Sequence, residues 1–300
     1  MFPSRFRYEA PHSLDEAIGL LHDGGDDVKV LAGGQSLVPM MKLRFASPEM
    51  LVDINNLPGL DYHQAAPDGS LHIGALCRHA DLEFSGLLPG TQPTMTAAAP
   101  LVADPLVRNR GTLVGSLCHA DPQGDWASVL LSLGGSVVAQ GPRGRREIPL
   151  DEFVIGPFQN VLEHDEIAVE AVVPPARGVR SGGYLKLERR VGDFATVGVA
   201  VSIETSGAEV VRAGIALTGV GGSTIGATEA AAVLTGGPLS DGSIAEAADL
   251  AARAAQPRTD HRGSAEYKRQ LVRVFVTRIL SGTTTAAQAM TAGPATERAA

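Results

Sequence analysis

Between residues 28 and 36 the chain reads Val28-Lys29-Val30-Leu31-Ala32-Gly33-Gly34-Gln35-Ser36. The paired glycines constrain everything around them. A short β-prone run enters them, a hydroxyl comes two residues later, and an apolar stretch from Leu37 through Pro39, Met40 and Met41 to Lys42 follows. Adjacent glycines let the backbone turn with its N–H groups facing one way and no side chain in between. Such a turn can cradle an anion, usually a phosphate. A plain tight turn is the simpler use of the same residues.

A second stretch bears on that choice. Arg108-Asn109-Arg110-Gly111-Thr112-Leu113-Val114-Gly115-Ser116 leads through Ala120-Asp121-Pro122 to Asp125 and Trp126, the only tryptophan. Two glycine-and-hydroxyl loops facing each other could hold a pyrophosphate through backbone N–H groups and the hydroxyls of Ser36, Thr112 and Ser116. Little cationic charge would be needed, which suits a large, permanently bound dinucleotide.

Periodicity supplies the frame. Ser13 and Glu16 have capping-box spacing, and Leu14, Ala17, Ile18 and Leu21 share a helical face that Gly24-Gly25 ends. Strands are expected at 28–32, 51–54 and 71–75, a helix at about 78–88, a packed helix over Thr96–Leu106, and a helix at 127–133 before a strand near 136–139. Pro142 to Arg146 reads as a hairpin turn with solvated basic residues, 166–173 as an alternating strand, and 174–183 as a linker. Strands at 197–203 and 209–217 follow, then helices at 243–255, opened by Ser243 and Glu246, and near 265–280.

Several chemistries are excluded or weak. No Gly-x-Gly-x-x-Gly and no Gly-Lys dipeptide is present, so neither the Rossmann fingerprint nor a P-loop exists. The formal charge of −8, without any Lys/Arg run, argues against nucleic acid or an anionic membrane as partner. Cys77 and Cys118 fit no zinc or iron–sulfur spacing and suit a reducing cytoplasm. His119 and Asp121 lack a third nearby metal ligand, and His72 and His79 read as ordinary strand and helix residues. Met1 to Glu9 has no apolar core of signal-peptide length, and no apolar run approaches a membrane span.

The two loops together resemble those of a known family. Ala32-Gly33-Gly34-Gln35-Ser36-Leu37, with Pro39 to Arg44, is similar to the first flavin loop of the FAD-binding medium subunits of molybdenum hydroxylases, the carbon monoxide and xanthine dehydrogenase relatives. Arg108 to Ser116, with Ala120-Asp121-Pro122 and Asp125, resembles their second flavin loop. Lys186 with Arg190 and Gly192-Asp193-Phe194-Ala195 resembles the start of their C-terminal domain. The likeness spans roughly residues 3–282.

The resemblance implies an α+β fold. A two-subdomain FAD-binding domain of the vanillyl-alcohol-oxidase (PCMH) type covers 1–177, divided near residue 57. An α/β C-terminal domain with a small antiparallel sheet and helices covers 178–283, and 284–300 form a flexible tail. It implies FAD as cofactor, held by Ala32, Gly33, Gly34, Gln35, Ser36, Leu37, Arg110, Thr112, Val114, Gly115, Ser116 and Asp121. Asp125 would lie toward the ribose. Lys186, Asp193 and Phe194 would stand near the isoalloxazine, where a cation favours reduced flavin and an aromatic shields the ring.

It also implies a cytoplasmic heterotrimer, open to dimerisation, with an iron–sulfur small subunit and a molybdenum-cofactor large subunit. Electrons would pass from [2Fe–2S] clusters through FAD to NAD⁺, oxygen or another acceptor. Two rival readings use the same fold. One is a self-sufficient FAD oxidoreductase acting on a small organic substrate, with His119, Glu188 or Asp193 as acid or base. The other is an assembly protein that has lost FAD.

Two positions depart from the family pattern. Gln35 stands where carbon monoxide dehydrogenase subunits commonly carry His. Val114 replaces a glycine in the second loop, and a positive φ there would strain it by roughly a kcal/mol or more.

Overall fold

The computed structural model describes residues 2–291, with side chains to residue 283. Three main sheets follow one another along the chain. The first unit comprises β1 (Arg7–Glu9), α1 (Leu14–Gly24), β2 (Val28–Leu31), α2 (Leu37–Lys42) and β3 (Met50–Asp53). Its strands are parallel in the order β1-β3-β2. α1 buries Ala17, Ile18 and Leu21, the stripe its period marks out. Ser13 Oγ accepts from the Glu16 N–H, but the Glu16 carboxylate accepts from His12 rather than closing a box on Ser13.

The second unit opens with β4 (His63–Ala65), β5 (Leu71–Gly74), α3 (His79–Glu83), α4 (Pro93–Ala98), α5 (Pro105–Arg108), α6 (Leu113–His119) and α7 (Asp125–Leu133). It closes with β6 (Ser136–Gly141), β7 (Gly144–Pro149), α8 (Leu150–Phe153), β8 (Val154–Gly156), β9 (Gln159–Asn160) and β10 (Ile167–Val173). Five antiparallel strands run β4-β5-β10-β6-β7. β10 is the central strand and is buried from Ile167 to Ala171.

Three sequence expectations change here. The helix anticipated over Thr96–Leu106 is broken: α4 stops at Ala98, Ala103 takes φ 49°, and α5 restarts at Pro105 behind an Asp104 cap. Proline suits a first helical turn, where its missing N–H would have no partner anyway. The helix at 78–88 shortens to α3. The hairpin arginines are not merely solvated, since Arg143, Arg145 and Arg146 pair with Asp165, Glu170 and Glu166. Those carboxylates are nearly buried and need partners.

The third unit starts with β11 (Val179–Leu187), inside the stretch read as a linker. β12 (Val197–Ser206), β13 (Glu209–Thr218) and β14 (Ile225–Gly226) complete an antiparallel sheet. α9 (Thr228–Ala232), α10 (Asp241–Ala254) and α11 (Ala265–Thr291) follow. Strands and helices are therefore segregated, not alternated as an α/β order would have them. α10 begins before the expected Ser243, capped by Ser240 with Ser243 in the reciprocal position. α11 includes residues 284–291 of the anticipated tail, and 292–300 lie outside the described residues.

The third sheet lies between two helical layers, α4 and α7 on one face and α9 to α11 on the other. Val197, Val199, Val201 and Ile203 of β12 join the core formed with α10 and α11. Ala200 of the same strand joins the core of the first two units. α7 is covered on nearly all sides, with Asp125 to Leu130, Ser132 and Leu133 buried. Thr94 donates to the Val201 carbonyl at 2.7 Å, and Thr218 to Ser128 Oγ at 2.6 Å, so α4 and α7 are hydrogen-bonded onto the sheet.

Candidate functional site

The two glycine loops meet backbone to backbone. A Cβ at Gly33 would lie 2.4 Å from the Arg110 carbonyl oxygen and 2.7 Å from Gly111 Cα. No residue with a side chain fits there without parting the loops. Gly34 takes φ 72°, a conformation that favours glycine. The tight turn expected at Gly33-Gly34 is formed.

A hydrogen-bonded relay locks the meeting point. Asn55 Nδ2 donates to the Ala32 carbonyl at 2.8 Å. Asn55 Oδ1 accepts from Arg78 Nη2 at 2.6 Å, and Arg78 Nη1 donates to the Arg110 carbonyl at 2.6 Å. The chain runs from one loop to the other through two half-buried side chains. Neither residue carries a local signal of this role: Asn55 follows the strand expected at 51–54, and Arg78 opens the helix expected at about 78–88.

Donors are left over at this junction. Among the described residues, the backbone N–H groups of Gly33, Gly34, Gln35 and Ser36 find no protein acceptor. The hydroxyls of Ser36 and Ser116 and the exposed Arg110 guanidinium likewise bond to no protein group among them. Buried or half-buried donors are normally satisfied, so a run of unclaimed N–H groups fits an anionic group such as a pyrophosphate. Thr112 caps α6, its Oγ1 accepting from the Gly115 N–H at 3.1 Å. Gln35 folds back, Nε2 donating to the Gly33 carbonyl.

Val114 carries no backbone strain. It is the second residue of α6, is not among the positive-φ residues, and is 2% exposed within the core. A helix accommodates a β-branched residue at a small propensity cost. The strain expected at Val114 is therefore absent.

His79 underlies the second loop. Its backbone N–H donates to the Gly111 carbonyl at 2.9 Å, and its ring occupies the space a Cβ at Gly111 would need, at 2.8 Å. Trp126 Nε1 donates to His79 Nδ1 at 2.9 Å, with the two rings stacked. Since indole can only donate, the imidazole hydrogen resides on Nε2. Burial, reinforced by the nearby Arg108 and Arg78 charges, lowers its pKa to about 4. His79 is therefore a neutral packing plate and not an ordinary helix residue.

Asp125 and Lys186 come together, but inward. Asp125 Oδ1 accepts from Tyr184 at 2.6 Å and Oδ2 from Lys186 Nζ at 3.1 Å. Lys186 also donates to the Leu101 carbonyl and lies 3.3 Å from Glu188. The Lys186 side chain is 1% exposed and that of Asp125 is 7% exposed. Both are engaged by protein groups and nearly buried. Burial pushes the Asp125 carboxyl up, against the opposing pull of Lys186 and Tyr184.

The remaining candidates sit on two surface turns. Asp121 accepts from the Gln123 N–H at 2.8 Å and lies 3.9 Å from His119, whose ring tilts onto Phe158. Asp193 is held by the Phe194 N–H, Arg189 and Arg262. These contacts keep its carboxyl below the usual range despite the opposing effect of burial. Phe194 is half exposed beside the fully open Val191. This turn abuts Ala103 and Asp104 through Gly192, the segment that leads through α5 into the second glycine loop.

Two loops thus touch backbone to backbone, with a run of N–H groups that no protein acceptor claims among the described residues. The model of an FAD binding domain in molybdopterin dehydrogenase matches residues 4–176, and that of the CO dehydrogenase flavoprotein C-terminal domain matches 183–283. The chain is 40% identical over 282 residues to the carbon monoxide dehydrogenase medium chain of Hydrogenophaga pseudoflava, covering 94% of this chain and 98% of that one. It is 40% identical over 283 residues to the 6-hydroxypseudooxynicotine dehydrogenase complex subunit alpha of Paenarthrobacter nicotinovorans, covering 94% and 95%. A solved carbon monoxide dehydrogenase from H. pseudoflava, lacking the Mo-pyranopterin moiety, superposes with a TM-score of 0.89 at 41% identity, covering 94% and 98%.

The chain belongs to the family of FAD-binding medium subunits of molybdenum hydroxylase-type dehydrogenases. It is an FAD-dependent oxidoreductase subunit. No helix among the described residues is long and apolar enough to cross a membrane.

Proposed function

We propose that this chain relays electrons within a cytoplasmic heterotrimer. It takes them from [2Fe–2S] clusters on a small subunit and passes them to NAD⁺, oxygen or another acceptor, while a molybdenum-bearing large subunit oxidises the substrate. The observation that carries the flavin site is the contact of Gly33 with Arg110 and Gly111 beside the free N–H groups of residues 33–36. FAD supplies the capacity to take up electrons one at a time and release them singly or as a pair.

The chain's own residues hold that group. The N–H groups of Gly33 to Ser36 and the hydroxyls of Ser36 and Ser116 face the pyrophosphate and ribityl chain, with Arg110 adding charge and Thr112 shaping the second loop by capping α6. Asp125 and Lys186 brace the base of the site from within, and Asp193 and Phe194 flank its outer edge. We assign residues 1–177 to a PCMH-type FAD domain and 178–283 to the C-terminal domain.

The cluster electrons must come from a partner. A [2Fe–2S] centre takes four protein ligands, usually cysteines, and this chain has two free cysteines, Cys77 buried and Cys118 half buried. Burial raises both thiols to about 12, so neither is a ready thiolate. The test is purification. The chain is expected to emerge yellow with stoichiometric FAD, and coexpression with its neighbouring subunits to give a complex holding iron, sulfide and molybdenum. A well-folded, FAD-free chain would overturn the flavin assignment. Flavin bleaching by an organic substrate added to the isolated chain would favour the self-sufficient oxidoreductase.

A further inference from the structure

We propose that His22, His164 and Asp165 form a binding site for a divalent transition-metal cation of the zinc class. His22 lies in the last turn of α1, whereas His164 and Asp165 lie in the loop that enters β10. One ligand atom from each lies within 4.8 Å of the others. The imidazoles are exposed and stacked, with ring centres 6.3 Å apart and planes 21° apart, while Asp165 is 2% exposed.

The spacing suits coordination. His22 Nδ1 and Asp165 Oδ2 are 3.1 Å apart. A cation bonded to both at zinc-like lengths of roughly 2.0–2.1 Å would subtend about 100° between them, between octahedral and tetrahedral values. The ligand types also discriminate. Two imidazoles and one carboxylate suit zinc, cobalt or nickel, whereas calcium and magnesium take oxygen ligands. The negative end of the α1 dipole favours a cation at His22.

The rest of the cluster is arranged as an outer shell would be. Arg143 contacts Asp165 Oδ1 at 3.3 Å, leaving Oδ2 for the metal. A ligating carboxylate commonly has its second oxygen hydrogen-bonded. His164 makes no hydrogen bond to protein among the described residues and stacks on His22, so its ring nitrogens are open to a cation. A bound cation would pin α1 of the first unit to the loop leading into the central strand of the second, a cross-tie separate from the glycine loops.

The experiment uses the full chain, stripped with a chelator and titrated with Zn²⁺ by calorimetry and with Co²⁺ by visible absorption. One ion per chain is expected, together with a rise in melting temperature of about 2–4 °C at saturating metal. His22→Gln and His164→Gln alter exposed side chains, so both should fold, keep their FAD and lose at least tenfold in metal affinity. Asp165→Asn should do the same, although it also disturbs Arg143. Failure of the wild-type chain to take up one ion saturably would overturn the site. Uptake unchanged in the His22/His164 double variant would overturn it equally, by placing the metal on other histidines.

Discussion

Arg78 and Asn55 are joined by a 2.6 Å hydrogen bond, and through it one guanidinium holds both glycine loops. Asn55 belongs to the segment leaving β3, and Arg78 to the segment entering α3. Their partners on either side are the carbonyls of Ala32 and Arg110. The junction of the two loops therefore depends on side chains that do not belong to the loops themselves.

Arg78→Met should weaken FAD binding by about tenfold to a hundredfold, since a hydrogen bond from a charged donor contributes roughly 1.5–3 kcal/mol. Asn55→Ala should have a similar effect, and the double variant little more, because the two act as one link. Quenching of FAD fluorescence on titration with apoprotein measures this. Strict additivity would show that the relay does not set the cleft.

Val114→Gly is expected to destabilise the chain by about 2–4 kcal/mol, from lost apolar burial and the poor helix propensity of glycine. FAD affinity of the folded fraction should not improve. Urea unfolding and flavin titration read the two quantities separately. Tighter FAD binding in the glycine variant would restore the strain argument that the helical position of Val114 removes.

His79 gives the chain a pH dependence of known sign. Its folded pKa, about 4, lies below the 6.5 of a free imidazole, so the unfolded chain binds the extra proton first as pH falls. The stabilisation is complete above pH 6.5 and is lost as pH drops through 4. The full difference is roughly 3 kcal/mol. Denaturant unfolding at pH 7 and near pH 4 should show wild type losing more stability than His79→Asn, by up to that amount. Equal losses would mean that His79 does not stay neutral in the fold.

Lys186→Met should cost about 3–5 kcal/mol by leaving a carboxylate buried without its cation. Pairing it with Asp125→Asn should recover much of that loss. Equilibrium unfolding of the four-member cycle tests it. If Lys186→Met instead left stability intact and shifted the flavin spectrum, the amine would be facing the ring and not Asp125.

Much of the framework was legible in the residues. The α1 stripe, the strands around Ser206-Gly207 and both glycine loops are local patterns, and local patterns survive folding. What was not legible is pairing across long separations. Nothing near Asn55 or Arg78 signals that they bridge residues 32 and 110. Nothing near Lys186 in the sequence signals that its amine pairs with Asp125. Val114 was judged by comparison with a glycine, but its dihedrals are set by the helix that Thr112 caps. The break at Ala103 was hidden because small apolar residues read as continuous helix whichever way the backbone turns.

The strand β12 serves two cores with alternate residues, and this bears on how the chain can be dissected. The two matched family segments meet between residues 176 and 183, which invites a cut there. Such a cut would strip α7 of its cover and leave Asp125 facing water without Tyr184 or Lys186. A boundary inherited as a sequence unit is thus not a boundary at which the protein comes apart. The flavin-binding half is expected to melt together with the C-terminal half in one transition, and neither should be obtainable as an independent module.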